Sequence, residues 1–224
     1  MVLFFKFLLA KNNSVIFFVI LNLFFISSCA YKNDFTFDDK ILVKDSIYLV
    51  FRGTKTKQGF FARDFNIIDS LSSHIGIALY YKKRWRVFHI SDYNDNFSDI
   101  RSHPTNVFFN IKKEKINYIS LWGVKKLSAT DVSRVKEDII GYESKKVKFE
   151  KIFALDNKNK LYCSEFVNNV FTNLDSVKYK IPLTKRKLSG IYKQYFQKDT
   201  LIYYSVDSFH SNLQFYKIKE WYFE

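Results

Sequence analysis

Cys163 has the surroundings of a reactive thiol. It lies in the segment Tyr162-Cys163-Ser164-Glu165-Phe166-Val167, at the start of an apolar pattern typical of a buried helix face. A thiol in the first turn of a helix has free backbone N–H groups and the positive end of the helix dipole beside it, and both favour the thiolate. We therefore predict a cysteine nucleophile. The alternative is a buried free cysteine that only fills space, which is the more common role of a lone cysteine.

Two histidines are candidates for the general base of such a thiol. His74 opens one predicted strand and His89 lies on the next. A two-residue loop at Lys82-Lys83 pairs Tyr81 with Arg84, and this register places both histidines on one face of the hairpin, about 7–8 Å apart at the backbone. We predict that His74 takes the thiol proton and that His89 orients His74. A three-residue loop would place them on opposite faces, and a surface histidine at a strand end is the alternative for His74.

The N-terminal residues have the pattern of a secretory signal. Lys6 and Lys11 precede the apolar stretch 15–26, and no acidic residue occurs before Asp34. A basic segment followed by an apolar one of this length is typical of a signal peptide. The stretch is shorter than a membrane span, which needs about 20 apolar residues. It ends in Ile26-Ser27-Ser28-Cys29, which resembles a bacterial lipobox; an uncleaved signal anchor is the alternative.

The lipobox divides the chain into segments. We predict a signal peptide at 1–28, a lipid on Cys29, a tether at 29–40 and one folded domain at 41–224. This domain would stay outside the cytoplasm in the bacterial cell envelope, anchored to a membrane by the lipid. Cys163 would then remain a free thiol in a compartment where structural cysteines usually pair, which favours a chemical role for it.

The composition indicates an ordered globular domain. The chain has 25 Phe and 15 Tyr but only 6 Gly and 2 Pro, and its length after the predicted signal is sufficient for one hydrophobic core. The formal net charge of +14 is compatible with attraction to anionic lipid or cell-wall polymer. The basic residues are scattered without an Arg-rich or Gly-aromatic pattern, so we predict no nucleic-acid partner.

Hydrophobic periodicity predicts a single α+β domain. His103 precedes Pro104 in a predicted turn, and His210 lies in an aromatic, strand-like tail at 201–224, so we expect both histidines to be structural. The predicted strands are 47–51, 73–81, 85–90, 107–111 and 116–124, and the predicted helices are 60–71, 131–142 and one that begins at Cys163.

Four segments together resemble, in order, the motifs of the YiiX/YebB-like permuted papain-fold hydrolases of the NlpC/P60 superfamily. The resemblance covers about 40–224 and implies an α+β, circularly permuted papain-like fold, in which an antiparallel sheet packs against the helix that carries the nucleophile. The permutation accounts for a histidine that precedes the cysteine in the chain. The segments are Asp45-Ser46-Ile47-Tyr48-Leu49-Val50-Phe51-Arg52, Ser73-His74-Ile75-Gly76-Ile77, Val87-Phe88-His89 and Tyr162-Cys163-Ser164-Glu165-Phe166-Val167.

The resemblance also implies the roles of the site residues. Cys163 would be the nucleophile, His74 the base, His89 the orienting residue and Tyr162 a neighbour in the substrate pocket, with no cofactor and no metal. The implied substrates are peptidoglycan stem peptides or N-acyl and lipid amides. The sequence leaves open which of these is cleaved, whether the acyl group passes to water or to another acceptor, and the oligomeric state.

Two departures from the family pattern bear on the substrate. Asp45-Ser46 stands where the family has Gly-Asp, and Phe149-Glu150 with Phe153 stands where relatives have Tyr-Asp with Phe. The second segment lies on the expected substrate side of the site, so the identity of the substrate does not transfer.

Two other interpretations compete with the hydrolase. A zinc site could form from His74, His89, His103 and Cys163, provided that these side chains converge on one point. A catalytically inert papain-fold lipoprotein could bind envelope components through its basic surface. The presence of both a histidine and a cysteine in the expected order favours the enzyme over either.

Overall fold

The computed structural model describes residues 35–223, except 93–96, 156 and 158. The predicted signal peptide at 1–28, the predicted lipidation site Cys29 and the first part of the predicted tether lie outside the described residues. The chain from Thr36 onward forms one compact unit. Among the residues described, no helix has both the length and the apolar character needed to cross a membrane.

One antiparallel sheet forms the centre of the fold. Within the described residues the strands are β1 Tyr48–Thr54, β2 His74–Tyr81, β3 Arg84–Ile90, β4 Ile100–Pro104, β5 Ile116–Val124, β6 Lys148–Phe149, β7 Lys160–Leu161, β8 Thr184–Lys187, β9 Thr200–Tyr203 and β10 Phe215–Tyr222. Six of them form the central sheet in the order β10-β5-β1-β2-β3-β4, and each neighbouring pair is antiparallel. Two small sheets, β6 with β7 and β8 with β9, lie outside it.

Most of the helices contact strands of the central sheet. In the described part of the chain they are α1 Lys57–Asp64, α2 Thr105–Phe108, α3 Ile111–Glu114, α4 Ala129–Ser144, α5 Cys163–Leu174 and α6 Gly190–Phe196, with short 3-10 turns at Asp39–Ile41 and Ser208–Ser211. Helix α5 contacts β2, β3 and α4. The fold is therefore α+β, as the periodicity predicts, with a mainly antiparallel sheet, as the family resemblance implies.

Helix α5 is held in place by its apolar face. The apolar stripe of Phe166, Val167, Val170 and Phe171 is fully buried in the main core, together with inward-facing residues of the sheet such as Ile75. Burial of one such side chain stabilises a fold by about 1.5–3 kcal/mol relative to exposure. This packing fixes the start of α5 against the beginning of β2.

Helix α4 shows how local sequence sets a boundary. Its N-cap is Ser128, and the Ser128 hydroxyl accepts a hydrogen bond from the Asp131 backbone N–H. The Asp131 carboxylate in turn accepts from the Ser128 backbone N–H, which completes a capping box. The predicted helix at 131–142 is confirmed and is slightly longer than expected.

The predicted strand at 107–111 is wrong, because two short helices, α2 and α3, cover most of this segment. Asn110 lies between them, and its side chain accepts a hydrogen bond from the backbone N–H of Lys113. An asparagine N-cap satisfies an N–H group that the first helical turn leaves unpaired. This local interaction outweighs the strand propensity of the apolar residues before it.

The predicted helix at 60–71 is also wrong in its second half, because α1 ends at Asp64. Beyond it, the fully buried side chain of Asp207 accepts hydrogen bonds from the backbone N–H groups of residues 67–69. These amides are therefore satisfied by a carboxylate from a distant part of the chain. The sequence pattern of the segment does not show that partner.

The predicted turn at His103-Pro104 is strand β4. Val87 of β3 pairs with His103, and Arg86 pairs with Pro104. Proline lacks a backbone N–H, but β4 is the edge of the sheet, where one side of the strand has no ladder to complete. The strand brings His103 next to β3.

The packed part of the chain begins within the segment predicted as a tether. Phe37 is buried and stacks on Phe109, with 4.6 Å between ring centroids. Its ring also meets Trp221 edge-on at 5.7 Å. The side chains that anchor the domain therefore start before residue 41.

Candidate active site

The β2–β3 hairpin places two histidines on one face. Lys82-Lys83 forms its loop, with positive φ angles of 48° and 64°, as a two-residue type I′ turn requires. Tyr81 pairs with Arg84, which confirms the predicted register. His74 and His89 meet through a 2.9 Å contact between His74 Nε2 and His89 Nδ1.

Gly76 allows this close approach. The regular ladder between β2 and β3 ends at the pair Ile77–Phe88, one residue before His89 on β3 and before Gly76 and His74 are reached on β2. A Cβ atom at Gly76 would lie 2.8 Å from Val87 Cγ1 and 3.2 Å from His89 Cβ. Any side chain at this position would therefore push β3, and with it His89, away from His74.

A third histidine extends the pair into a row. His89 Nε2 lies 2.9 Å from His103 Nδ1, so the imidazole of His89 is hydrogen-bonded at both nitrogens. Ser91 Oγ lies at a longer 3.3 Å from His89 Nδ1. From the sequence, His103 is expected to be structural, or a zinc ligand in the alternative interpretation, because a turn is predicted at this segment. A strand there would have placed His103 diagonally opposite His89.

Phe108 and Arg52 cover the row. The Phe108 ring centroid lies 4.9 Å from that of His89 and 6.0 Å from that of His74. The Arg52 guanidinium lies over the same ring at 4.5 Å, and its Nη1 donates to the Phe108 carbonyl over 2.9 Å. Arg52 is paired with His74 across β1 and β2, so a buried positive charge lies beside the histidines.

Burial keeps His74 and His89 neutral near pH 7. The pKa of His74 is well below its ordinary value of 6.5, mainly because of burial and further because of the Arg52 charge. The pKa of His89 is lowered by burial first, then by His74, Arg52 and His103. Neutral imidazoles have one donor and one acceptor nitrogen, so each can act as a base at the nitrogen that carries no proton.

Cys163 is the first residue of α5, as predicted, and it is 7% exposed. Burial raises the pKa of its thiol above the ordinary value of 9.0. The backbone amides of Ile75, Ser164 and Cys163 itself lie close enough to lower that pKa, as does the Arg52 charge, but burial is the larger effect. The sequence-based expectation that the helix start favours the thiolate is therefore outweighed in the resting protein.

The amide of Ile75 locates the thiol relative to the base. Ile75 directly follows His74, so the thiol lies beside the first residues of β2. His74 uses Nε2 to bind His89, which leaves Nδ1 as its second nitrogen. The approach of Nδ1 to the Cys163 thiol stays a prediction.

Tyr162 and Ser164 hold the segment on both sides of the cysteine. The Tyr162 hydroxyl accepts a hydrogen bond from the Tyr204 backbone N–H over 2.8 Å, and Ser164 Oγ donates to the Tyr204 carbonyl over 2.7 Å. The Tyr162 ring is fully buried and meets Phe153 at 4.9 Å. In this structure Tyr162 supports the helix start, and its contact with substrate stays a prediction.

His210 lies in a different environment. Its ring stacks on Trp122, with 4.2 Å between centroids and planes 3° apart, and meets Phe51 at 4.7 Å. These contacts are those of a packing residue, which is the role that the sequence predicts for it.

The histidine row does not have the geometry of a metal centre. Both nitrogens of His89 are used in hydrogen bonds to neighbouring imidazoles. Across the described residues, no group of three or more His, Cys, Asp or Glu side chains is arranged to hold a metal ion. The zinc interpretation of His74, His89, His103 and Cys163 therefore does not fit this arrangement.

Comparison with known proteins identifies the fold. No protein-family model matches the chain, and no curated protein matches it. The chain has a YiiX-like fold, a mixed arrangement of helices and a mainly antiparallel sheet. A solved structure with this fold is the metalloprotein YiiX from Escherichia coli O157:H7, assigned to DUF1105. It matches with a TM-score of 0.63 and 16% sequence identity, over 79% of this chain and 97% of that chain.

The buried neutral histidines predict acid sensitivity of the fold. Because the pKa values of His74 and His89 are lowered in the folded state, the unfolded chain binds more protons below pH 6.5. The free energy of unfolding is expected to fall as the pH drops through that value, by about 1.4 kcal/mol per pH unit for each such histidine. Urea unfolding between pH 7.5 and pH 5 measures this slope.

One variant distinguishes the contribution of the histidine row to this acid sensitivity from that of the rest of the protein. Burial also lowers the pKa of His210, so some acid sensitivity remains in any variant that keeps it. His89→Gln is expected to flatten the slope relative to the wild type. An unchanged slope would show that the histidine row does not contribute.

Proposed function

We propose that the protein is a lipid-anchored cysteine hydrolase of the bacterial cell envelope, of the amidase or peptidase type. We further propose that its fold is a circularly permuted papain-like fold of the NlpC/P60 superfamily. The observation that carries the proposal is the hydrogen-bonded pair His74–His89, in which His74 directly precedes Ile75, whose backbone amide lies beside the thiol of Cys163 at a helix start.

In the proposed reaction, Cys163 attacks the carbonyl carbon of an amide or ester as His74 removes the thiol proton. Because the thiol pKa is raised and the imidazole pKa is lowered, the resting pair is neutral and the proton moves during the attack. His89 holds the ring of His74. His74 then returns the proton to the leaving group, and water or another acceptor releases the acyl group from the sulfur.

The start of α5 can stabilise the charge that develops in this step. The N–H groups of Cys163 and Ser164 lie in the first turn of the helix, where they have no partner within the helix. Such amides, together with the helix dipole, stabilise an oxyanion on the attacked carbonyl. The proposed reaction uses these groups and no cofactor.

Metal ions have no part in the proposed reaction. YiiX is described as a metalloprotein, but the histidine row of this chain is arranged for hydrogen bonds between imidazoles.

The second candidate function is an inert lipoprotein that binds envelope components. The burial of Cys163 and the formal net charge of +14 favour it, because a buried thiol limits access and a positive surface attracts anionic polymers. The two candidates differ in whether Cys163 reacts.

A substrate screen tests the hydrolase. The full chain and its Cys163→Ala variant would be incubated with muropeptides and with a panel of N-acyl amides, and the products analysed by mass spectrometry. Cleavage of one class by the wild type alone supports the proposal and identifies the substrate. Binding of envelope polymer without cleavage of either class would favour the inert lipoprotein.

The proposed anchor gives a separate prediction. Cys29→Ser is expected to leave the chain without a lipid, because the serine hydroxyl cannot form the thioether. The protein expressed in a bacterial host would be fractionated and its mass measured, with the unchanged chain as control. A variant that remains lipid-modified and membrane-bound would contradict the lipobox.

A further inference from the structure

We infer that one outer surface of this protein docks on an anionic lipid bilayer. This docking surface belongs to β8, α6 and β9 and consists of the exposed side chains of Lys185, Lys187, Ile191, Tyr195, Lys198 and Ile202. The inference concerns binding, so it goes beyond the proposed hydrolase and does not depend on its activity.

The inner side of β8, α6 and β9 is fixed by packing. In the ladder of β8 with β9, Lys185 pairs with Ile202 and Arg186 pairs with Leu201. Alternate residues of a strand point to opposite faces. Leu201 is buried, and Arg186 is on its side of the ladder, with its guanidinium over the Phe65 ring at 4.6 Å. Lys185 and Ile202 therefore point outward. The buried cluster on the inner side comprises Phe65, Tyr162, Leu188, Phe196, Leu201 and Tyr203.

Large apolar side chains are exposed on the outer side. Ile191 and Tyr195 of α6 are 74% and 53% exposed, and their spacing of four residues places them next to each other on the helix. Ile202 on β9 is 47% exposed. Single exposed apolar residues are ordinary on a protein surface, but a group of them on one small unit marks an interaction surface.

The same segment has an excess of positive charge. Residues 183–202 contain five basic residues and one acidic residue, Asp199, which gives a net charge of +4 (5 − 1). Asp199 is paired with Lys193 over 2.6 Å. The adjacent helix α1, whose Phe61 meets Tyr192 of α6 at 5.6 Å, contains two basic residues and one acidic residue, so it does not cancel this excess. Near an anionic lipid surface, each lysine or arginine strengthens membrane binding roughly 5-fold.

The combination of charge and apolar exposure fits lipid better than a charged polymer. An anionic polymer would be attracted by the lysines alone, and it would leave Ile191, Tyr195 and Ile202 in water. At a bilayer, apolar side chains enter the boundary between headgroups and acyl chains while lysines reach the headgroup phosphates. Tyrosine is enriched at that boundary. The docking surface therefore has the chemistry of an anionic bilayer's partner.

The docking surface is attached directly to the candidate active site. Strand β9 continues into Tyr204, whose backbone N–H donates to the Tyr162 hydroxyl and whose carbonyl accepts from Ser164 Oγ. Tyr162 and Ser164 lie on the two sides of Cys163 at the start of α5. Docking would therefore hold this end of α5 near the lipid.

A lipid photolabel tests the inference in the full chain. Vesicles of phosphatidylglycerol and phosphatidylcholine carry a trace of lipid with a diazirine on its acyl chain, and labelled peptides are mapped by mass spectrometry after irradiation. We expect label at Ile191 and Tyr195, and roughly 10-fold less in vesicles of phosphatidylcholine alone. Absence of label from 183–202 in the anionic vesicles would overturn the inference. The apolar stretch 15–26 is present in every sample, so differences at 183–202 report the docking surface.

Three double variants separate charge, apolar contact and general effects, and circular dichroism checks that each is folded. Lys185→Glu/Lys187→Glu is expected to lower the label in 183–202 roughly 25-fold. Ile191→Ser/Ile202→Ser removes two apolar side chains and is expected to lower it roughly 10-fold. The matched control is Lys82→Glu/Lys83→Glu, because it makes the same change of charge in the β2–β3 loop, at the end of β2 opposite His74. This control should be labelled like the wild type.

The outcomes distinguish the partner from the alternatives. Equal loss of label in Lys185→Glu/Lys187→Glu and Lys82→Glu/Lys83→Glu would show that only the overall charge matters, which would overturn the inference. Unchanged label in Ile191→Ser/Ile202→Ser would also overturn it, because the surface would then bind anionic groups without inserting into lipid. Cys163→Ala should be labelled like the wild type, so failure of the hydrolase in the substrate screen would leave the docking surface in place.

Discussion

Replacement of Cys163 with alanine is expected to abolish turnover, with a loss of roughly 10³-fold or more. The reason is that the sulfur forms the bond to the substrate acyl group, and no other described group at the start of α5 can replace it. The substitution removes one buried atom from the core, where Cys163 is 7% exposed. We expect this to lower the free energy of unfolding by only about 1 kcal/mol. Turnover of the substrate found in the screen and urea unfolding measure the two effects separately.

The adjacent residue supplies the control. Ser164→Ala removes a buried hydroxyl that donates to the Tyr204 carbonyl but leaves the thiol and the helix start in place. We expect this variant to lower the free energy of unfolding by an amount similar to that for Cys163→Ala and to retain most of the activity. Full activity in Cys163→Ala would contradict the assignment of the nucleophile.

Replacement of His74 with alanine is expected to be nearly as damaging. Without the imidazole, the thiol that burial holds in its neutral form loses the group that removes its proton. Because Cys163 and His74 act as one unit, the double variant should be about as inactive as either single variant. Turnover of the two single variants and the double variant measures this lack of additivity.

His89 provides the comparison for this prediction. His89→Ala should be milder than His74→Ala, because His89 holds the base without contacting the substrate. His89→Asn or His89→Glu should retain part of the rate, since each side chain can accept a hydrogen bond from the imidazole of His74. Full activity in His89→Ala would place the orienting group elsewhere, with Ser91 and then Asp92 next to be tested. If the fold-loss of activity in Cys163→Ala/His74→Ala equalled the product of the losses in the two single variants, the two residues would act independently.

The features of the site that the sequence predicted are those set by local patterns. The apolar spacing after Cys163 is sufficient to predict the helix and the position of the thiol at its start. The loop at Lys82-Lys83 sets the register of the hairpin, and that register is sufficient to place His74 and His89 on one face. Both inferences depend on residues that are close together in the chain.

The features that were missed depend on distant contacts. His103 reaches the site only because β4 pairs with β3, and Pro104 makes that strand look like a turn in sequence. The loop after α1 is held by Asp207, which lies far along the chain. The pKa of the Cys163 thiol is raised by burial in a tertiary core, which the polarity of the neighbouring residues does not reveal.

The most direct test of the account is the alkylation of Cys163 at pH 7 in the folded full chain, in His74→Ala and in the chain unfolded by denaturant. Burial alone raises the thiol pKa and limits access, so an unassisted Cys163 would react more slowly folded than unfolded. We predict that the folded wild type reacts faster than the unfolded chain, and that His74→Ala removes this advantage. Slow alkylation of the folded wild type, or equal rates in the wild type and His74→Ala, would contradict the claim that Cys163 is a nucleophile activated by His74.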